Sequence, residues 1–240
     1  GGSVNLKLKR ATPEDFTRLT LGFVGDAHLG GSFDTSRRFG SGGEFGVRVN
    51  GAYRDGEVSI DREDRRTQVL GAAFDYDSGP FRAVLDLAYQ EVRVDALRPK
   101  VTIAGFIPEV PDADANFAQD YTYTELQDIF GTLSLEYDLS PDAMLYARAG
   151  AREGDEEGIY GGITVNDEAT GDASSGFHSY IPFEASNQAI EAGLRAGFAL
   201  GGTTHEVNIG GNMVWQEDRT AYDFFSAFDT NLYNPVQVVP

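Results

Sequence analysis

Hydrophobic and polar residues alternate with a period of two through much of the chain, the spacing that turns one face of a strand to grease and the other to water. From Phe81 to Tyr89 one parity reads Phe81, Ala83, Leu85, Leu87 and Tyr89, against Arg82, Val84, Asp86 and Ala88. From Phe45 to Tyr53 the apolar parity is Phe45, Val47, Val49, Gly51 and Tyr53, against Gly46, Arg48, Asn50 and Ala52. The pattern recurs over Thr17–Phe23, Leu29–Phe39, Gln68–Tyr76, Ile129–Tyr137, Ala143–Ala151, Ile190–Leu200 and Val207–Trp215, which predicts nine strands. Each is close to the ~9–11 residues that cross a bilayer at a tilt. Helical periodicity is weak throughout.

The connections alternate in length. Tight turns are expected at Gly40–Glu44, Ser78–Pro80, Ser140–Asp142 and Gly201–Thr204. Longer polar links are expected near Asp55–Arg65, Asp95–Thr124 and Glu153–Asn187, and from Asp218 onward. One tight end and one long-looped end characterise bacterial outer-membrane barrels. Phe39, Phe45, Tyr76, Phe81, Tyr137 and Phe198 flank the tight turns, as an interfacial girdle would. The polar parity carries Arg18, Arg38, Arg48, Arg54, Arg82, Asp86, Arg148, Arg152, Glu191 and Arg195. So many charges are costly inside a small packed barrel but tolerable in a wide lumen. The expected fold is therefore all-β: an antiparallel up-and-down transmembrane β-barrel segment. A soluble sheet with its charged face in water satisfies the same alternation and stays open as a binding module.

Charge and composition narrow the function. The 240 residues include 19 Lys and Arg against 38 Asp and Glu, a net charge of −19, so a nucleic-acid partner is not expected. With no cysteine there is no disulfide framework and no thiol chemistry. No run reaches the ~18 apolar residues of a membrane-spanning helix, which leaves a barrel open. His28, His178 and His205 lack metal-ligand spacing. Asp112, Asp114 and Asn116 open like a calcium loop, but Phe117 replaces its glycine and Tyr123 its closing glutamate. No catalytic motif stands out, so neither an enzyme nor a resident cofactor or metal is expected. The chain starts at Gly1 without Met or a leader and stops after an irregular stretch, which reads as an internal segment. Ser3–Lys9 alternates briefly, and Thr12-Pro13-Glu14-Asp15 then reads as a linker.

Several stretches resemble one family. Gly1-Gly2-Ser3-Val4-Asn5-Leu6-Lys7-Leu8-Lys9-Arg10 resembles the end of the plug domain of TonB-dependent receptors. Arg37-Arg38-Phe39-Gly40, followed by Phe45 through Gly56, resembles the second and third barrel strands of the siderophore-receptor branch. Phe130-Gly131-Thr132-Leu133, with Glu136-Tyr137-Asp138-Leu139 and Tyr146-Ala147, resembles a later hairpin of that branch. Lys7-Leu8 departs from the smaller or β-branched residues usual there.

The resemblance implies residues 1–15 as plug end and linker, and 16–240 as the first part of a barrel of about 22 strands with a plugged lumen. It further implies TonB-dependent uptake of a ferric siderophore across the outer membrane of a Gram-negative bacterium. The partners would be the siderophore, outer-membrane lipid and the TonB energy-coupling complex. Arg48, Arg54, Arg82 and Arg148 would face the lumen and meet plug acids or ligand oxygens. The links Ala96–Thr124 and Gly154–Ser186 are richest in possible ligand groups; in the first, Arg98, Phe106, Phe117, Gln119, Tyr121 and Tyr123 would suit a bulky polar iron chelate, although packing the loop uses the same groups. A receptor for haem or cobalamin, or a porin, are the membrane alternatives.

Overall fold

The computed structural model describes residues 8–24 and 27–239. The plug-like strand expected at Ser3–Lys9 falls mostly on residues 1–7, outside the described residues.

The nine expected strands are all present: β1 (Phe16–Val24), β2 (His28–Phe39), β3 (Phe45–Glu57), β4 (Asp64–Ser78), β5 (Phe81–Asp95), β7 (Tyr123–Ser140), β8 (Ala143–Tyr160), β12 (Phe183–Leu200) and β13 (Thr203–Thr220). Each pairs antiparallel with the next of this set, so the chain meanders up and down through one sheet. The turns 40–44, 79–80, 141–142 and 201–202 lie at one end. Glycines take positive φ at Gly40, Gly43, Gly79, Gly201 and Gly202, a backbone region that suits tight hairpin turns and costs other residues energy.

The apolar parity stays together across the ladder. Leu85 is opposite Phe74 on one side and Leu133 on the other, Leu133 is opposite Ala149, and Ala149 is opposite Ile190. These side chains form an exposed greasy face, with Leu87 46%, Ile190 47% and Ile209 65% accessible. In water such a face would be an aggregation hazard; in lipid it is the required surface. Phe45 and Tyr76, with ring centroids 4.7 Å apart, and Tyr76 and Phe81, at 6.0 Å, line its short-turn border.

The strands outrun the expected spans. β7, β8, β12 and β13 are each 18 residues long. The outward apolar run from Phe81 to Tyr89 covers roughly 27 Å along the strand, or ~20 Å in height at a ~40° tilt. Beyond Tyr89 the same outward parity turns to Glu91, Arg93 and Asp95, and on β8 to Glu153, Asp155 and Glu157. The links expected at Asp55–Arg65 and Glu153–Asn187 are therefore shorter than expected. The ladder continues to Glu57 opposite Asp64, and β8 reaches Tyr160 before β12 resumes at Phe183. Above the bilayer neither face needs grease, so the alternation fades while the hydrogen bonds go on.

The long links fold on each other. β6 (Lys100–Ile103), β9 (Gly162–Val165), β10 (Asp172–Ser175) and β15 (Phe228–Asn231) make a second, four-stranded sheet in the order β15-β10-β9-β6. β11 (Ser179–Tyr180) continues from β8 to β14 (Asp223–Phe224). Phe117, Ile163, Val165, Ala173 and Leu232 form a small core under this sheet. Three links thus make one cap at the long-loop end.

Candidate functional site

The polar parity becomes a charged wall because glycines on it seat long side chains. Arg38 is opposite Gly46, and Gly46 is opposite Asp75. A Cβ at Gly46 would lie 2.4 Å from Asp75 Oδ1; without it, Arg38 reaches over to bind Asp75 at 2.8 Å. Tyr146 likewise lies over Gly193 and Gly210, where added Cβ atoms would meet its hydroxyl at 2.5 and 2.8 Å. Its ring is flanked by the guanidinium groups of Arg148 and Arg195, 5.4 and 5.8 Å from the centroid.

Residues 9–15 run as a strap over this wall. Lys9 Nζ pairs with Asp34 at 3.0 Å. Arg10 donates to both carboxylate oxygens of Asp86, at 2.5 and 2.8 Å. Arg48 donates to the Arg10 carbonyl at 2.9 Å while gripping Asp34 at 2.9 and 2.8 Å. The Thr12 amide donates to the Ser36 hydroxyl at 2.9 Å, and Arg38 donates to the Ala11 carbonyl at 3.2 Å. Asp34 and Asp86 are buried, and each carboxylate is met by a cation, as low dielectric demands.

The four arginines expected to face the lumen all lie on this parity. Arg48 holds the strap itself. Arg82 pairs with Glu136 at 3.1 Å and Asp138 at 2.6 Å near the short turns. Arg148 is 3.6 Å from Glu191. Arg54 packs over Gly30, where a Cβ would come within 2.4 Å of its Cγ. Their partners among the described residues belong to the wall and strap.

At the other end, of the residues expected to contact ligand, Arg98, Phe117, Gln119 and Tyr121 lie in the cap and Tyr123 opens β7 beneath it, in different roles. Arg98, Phe117, Gln119 and Tyr123 line one cavity of about 530 Å³, together with Tyr160 and His178. Arg98 donates to the carbonyls of Ala113 and Ala115 at 2.8 and 3.2 Å. Phe117 belongs to the cap core. Gln119, nearly fully buried, donates to the Val236 carbonyl at 2.7 Å and accepts from the Val238 amide at 2.9 Å. The Tyr123 hydroxyl donates to Glu157 at 2.9 Å, with the Arg93 guanidinium 4.5 Å from its ring centroid. Tyr121 stands behind the lining, its hydroxyl 2.9 Å from His178 Nδ1. Phe106, on the same link, is 79% exposed and is not among the lining residues.

The sequence reading set His178 aside with the other two histidines, yet it joins all three links. Its Nε2 meets Ser175 Oγ at 2.7 Å, its ring lies edge-on to Phe228, and its carbonyl accepts from the Phe225 amide at 2.8 Å. Burial pulls its pKa below the usual histidine value and pushes that of Tyr121 up. Burial thus favours the neutral imidazole, in which one ring nitrogen donates while the other accepts. Glu63, fully buried in the link between β3 and β4, also escaped the sequence reading. A charged residue on a hairpin tip carries no sequence signal that separates it from a solvated turn.

No family model matches the chain. It is 35% identical over 237 residues to the ferrichrome receptor FcuA of Yersinia enterocolitica, covering 98% of this chain and 31% of that relative. The solved ferric preacinetobactin receptor BauA of Acinetobacter baumannii superposes with a TM-score of 0.88 at 28% identity, over 95% of this chain and 35% of that one. The ferripyoverdine receptor of Pseudomonas aeruginosa shares the fold, with a TM-score of 0.79 at 15% identity over 92% of this chain and 31% of that one. The chain thus spans about a third of the length of the relatives it matches. With a greasy outer face, a strapped ionic wall and a loop cap in one up-and-down sheet, the chain is similar nearly end to end to about a third of these siderophore receptors and has the fold of part of their barrel.

Proposed function

We propose that the whole protein captures a ferric siderophore at its outer loops and carries it across the outer membrane with energy delivered through TonB. The carrying observation is the division of the sheet. A lipid-facing band is topped by a cap whose cavity is lined by aromatic rings, a guanidinium and amide groups, on the side away from the short turns. Loops held on a rigid scaffold are where barrels place their recognition groups. A cavity of about 530 Å³ lies in the range that small-molecule sites occupy. Arg98, Phe117, Gln119, Tyr121 and Tyr123 are the proposed ligand contacts or their immediate supports, and the ionic wall is the proposed seat for the segment preceding the strap.

Growth decides it. A deletion strain under iron limitation is supplied with ferrichrome, ferric preacinetobactin, other ferric chelates, haem or cobalamin as separate additions. Loss of growth on one ferric chelate, restored by the gene and dependent on TonB, supports the proposal. Restoration on haem alone, or growth on every chelate without the gene, overturns it.

A further inference from the structure

We infer that Arg62 and Glu63, at the tip of the β3–β4 hairpin, are positioning residues that set the shape of the cap cavity without lining it. The inference rests on the uptake reading above and deepens it. The tip grips both limbs of the link 96–122. Glu63 is fully buried, and its carboxylate is used on both oxygens: Arg65 donates to one at 2.8 and 2.6 Å, and the Arg98 amide to the other at 3.1 Å. That fixes the link where it leaves β5. Arg62 reaches the far limb, donating to the Asn116 carbonyl at 2.8 Å and the Ala118 carbonyl at 3.4 Å, and pairing with Asp120. The Asp61 amide adds a bond to the Asp114 carbonyl at 2.9 Å.

Arg62 does this from a backbone that ordinary residues avoid, with φ +64°. A residue held there persists only where its surroundings over-determine it. Here Glu57 accepts from its amide at 2.9 Å, and the amide of Val58 donates to the Glu63 carbonyl at 3.1 Å, closing the tip. Arg98, Phe117, Ala118 and Gln119 line the cavity, whereas Arg62 and Glu63 do not. The tip therefore acts on the cavity through the link alone. Asn116 completes the clamp inside the link, donating to the Ala96 carbonyl and accepting from the Ala118 amide, both at 2.8 Å.

The test uses the full receptor in its own outer membrane, with Arg62→Ala, Arg62→Lys and Glu63→Gln, each confirmed as folded by heat-modifiable mobility. Two readouts are taken: tryptic cleavage after the exposed Lys100 on intact cells, and the concentration dependence of labelled ferrichrome and ferric preacinetobactin uptake. For Arg62→Ala, cleavage is expected to rise about tenfold and half-saturation to shift by a similar factor, the change brought by losing one charge-assisted hydrogen bond. The maximal rate should stay within about twofold, because the transport path is untouched. Arg62→Lys should recover part of the loss, since an ammonium can hold one of the carbonyls. Glu63→Gln should move the same way as Arg62→Ala. Cleavage at the wild-type rate, or a fall in maximal rate with half-saturation unmoved, overturns the inference. If the wild type takes up neither of these nor any other ferric chelate of the growth panel, the uptake reading fails first, and the cleavage data alone then uphold or overturn the positioning of the link.

Discussion

Removing Arg10 should cost the protein more stability than removing its partner. The Asp86 side chain is 7% exposed and that of Arg10 39%. In Arg10→Ala the carboxylate keeps, among the described residues, only a 3.5 Å contact from the Thr132 hydroxyl. Breaking a fully buried pair from one side costs about 3–5 kcal/mol, because a charge is left in low dielectric. Here the guanidinium is partly wet, so about 2–3 kcal/mol is the reasonable figure. Asp86→Asn leaves a cation that water can solvate, and should cost about 1 kcal/mol. The double variant should be less destabilised than the sum of the singles by about 1–2 kcal/mol. Equilibrium unfolding of the full receptor in lipid vesicles, read as midpoint and slope against guanidinium, measures all three. Moderate salt should change little, because the carboxylate is occluded. An Arg10→Ala variant within ~0.5 kcal/mol of wild type, or strictly additive singles, would refute the claim that the strap is held electrostatically.

Three further outcomes are expected. Leu85→Arg, in the lipid-facing band, should lose about 2–4 kcal/mol and reduce the fraction reaching the heat-resistant form, whereas Asp155→Arg on the same parity above the band should be nearly neutral; equal effects would deny the two zones. Gly193→Ala puts a Cβ 2.5 Å from the Tyr146 hydroxyl and 2.6 Å from the Ile209 carbonyl, so it should cost about 1–3 kcal/mol. A Tyr146→Ala background should relieve only part of that, since the carbonyl stays; full relief would place the strain wrongly. Because burial lowers the pKa of His178, the unfolded cap binds the extra proton more readily. Its contribution is complete above the ordinary value of 6.5 and drains away as pH falls below it, so proteolysis of the cap should accelerate there, and His178→Gln should flatten the profile.

The lipid-facing part of this fold was legible because its physics is periodic. Leu85, Leu133 and Ile190 had to share a face, and the tight turns had to carry Gly79 or Gly201. What the pattern missed begins where the solvent changes. Glu153 through Tyr160 carry acids on both parities and read as a link, yet they are ladder residues of β8. Four-residue strands such as β6 and β10 have too few alternations to signal at all. The aromatic and amide character of Phe117, Gln119, Tyr121 and Tyr123 pointed to a link that folds into the cap and borders its cavity. Composition cannot tell a residue lining a cavity from one that walls it, and only the folded cap separates Tyr121, behind, from Tyr123, in front. Arg62 and Glu63 were invisible for a related reason, since the link residues they hold lie some 35 to 58 positions away.

The strands that overrun the lipid band also divide the mechanics of the molecule. Inside hydrocarbon a parted N–H and C=O find no water, so each ladder bond there is locked at a cost of several kcal/mol. Past Tyr89 and Trp215 the same ladder stands in water, where a broken bond is resolvated at once. The barrel is thus a stiff waist carrying a pliant collar: amide exchange should be frozen across the one and graded along the other, and any gating movement of the cap can be absorbed in the collar without loosening the seal below.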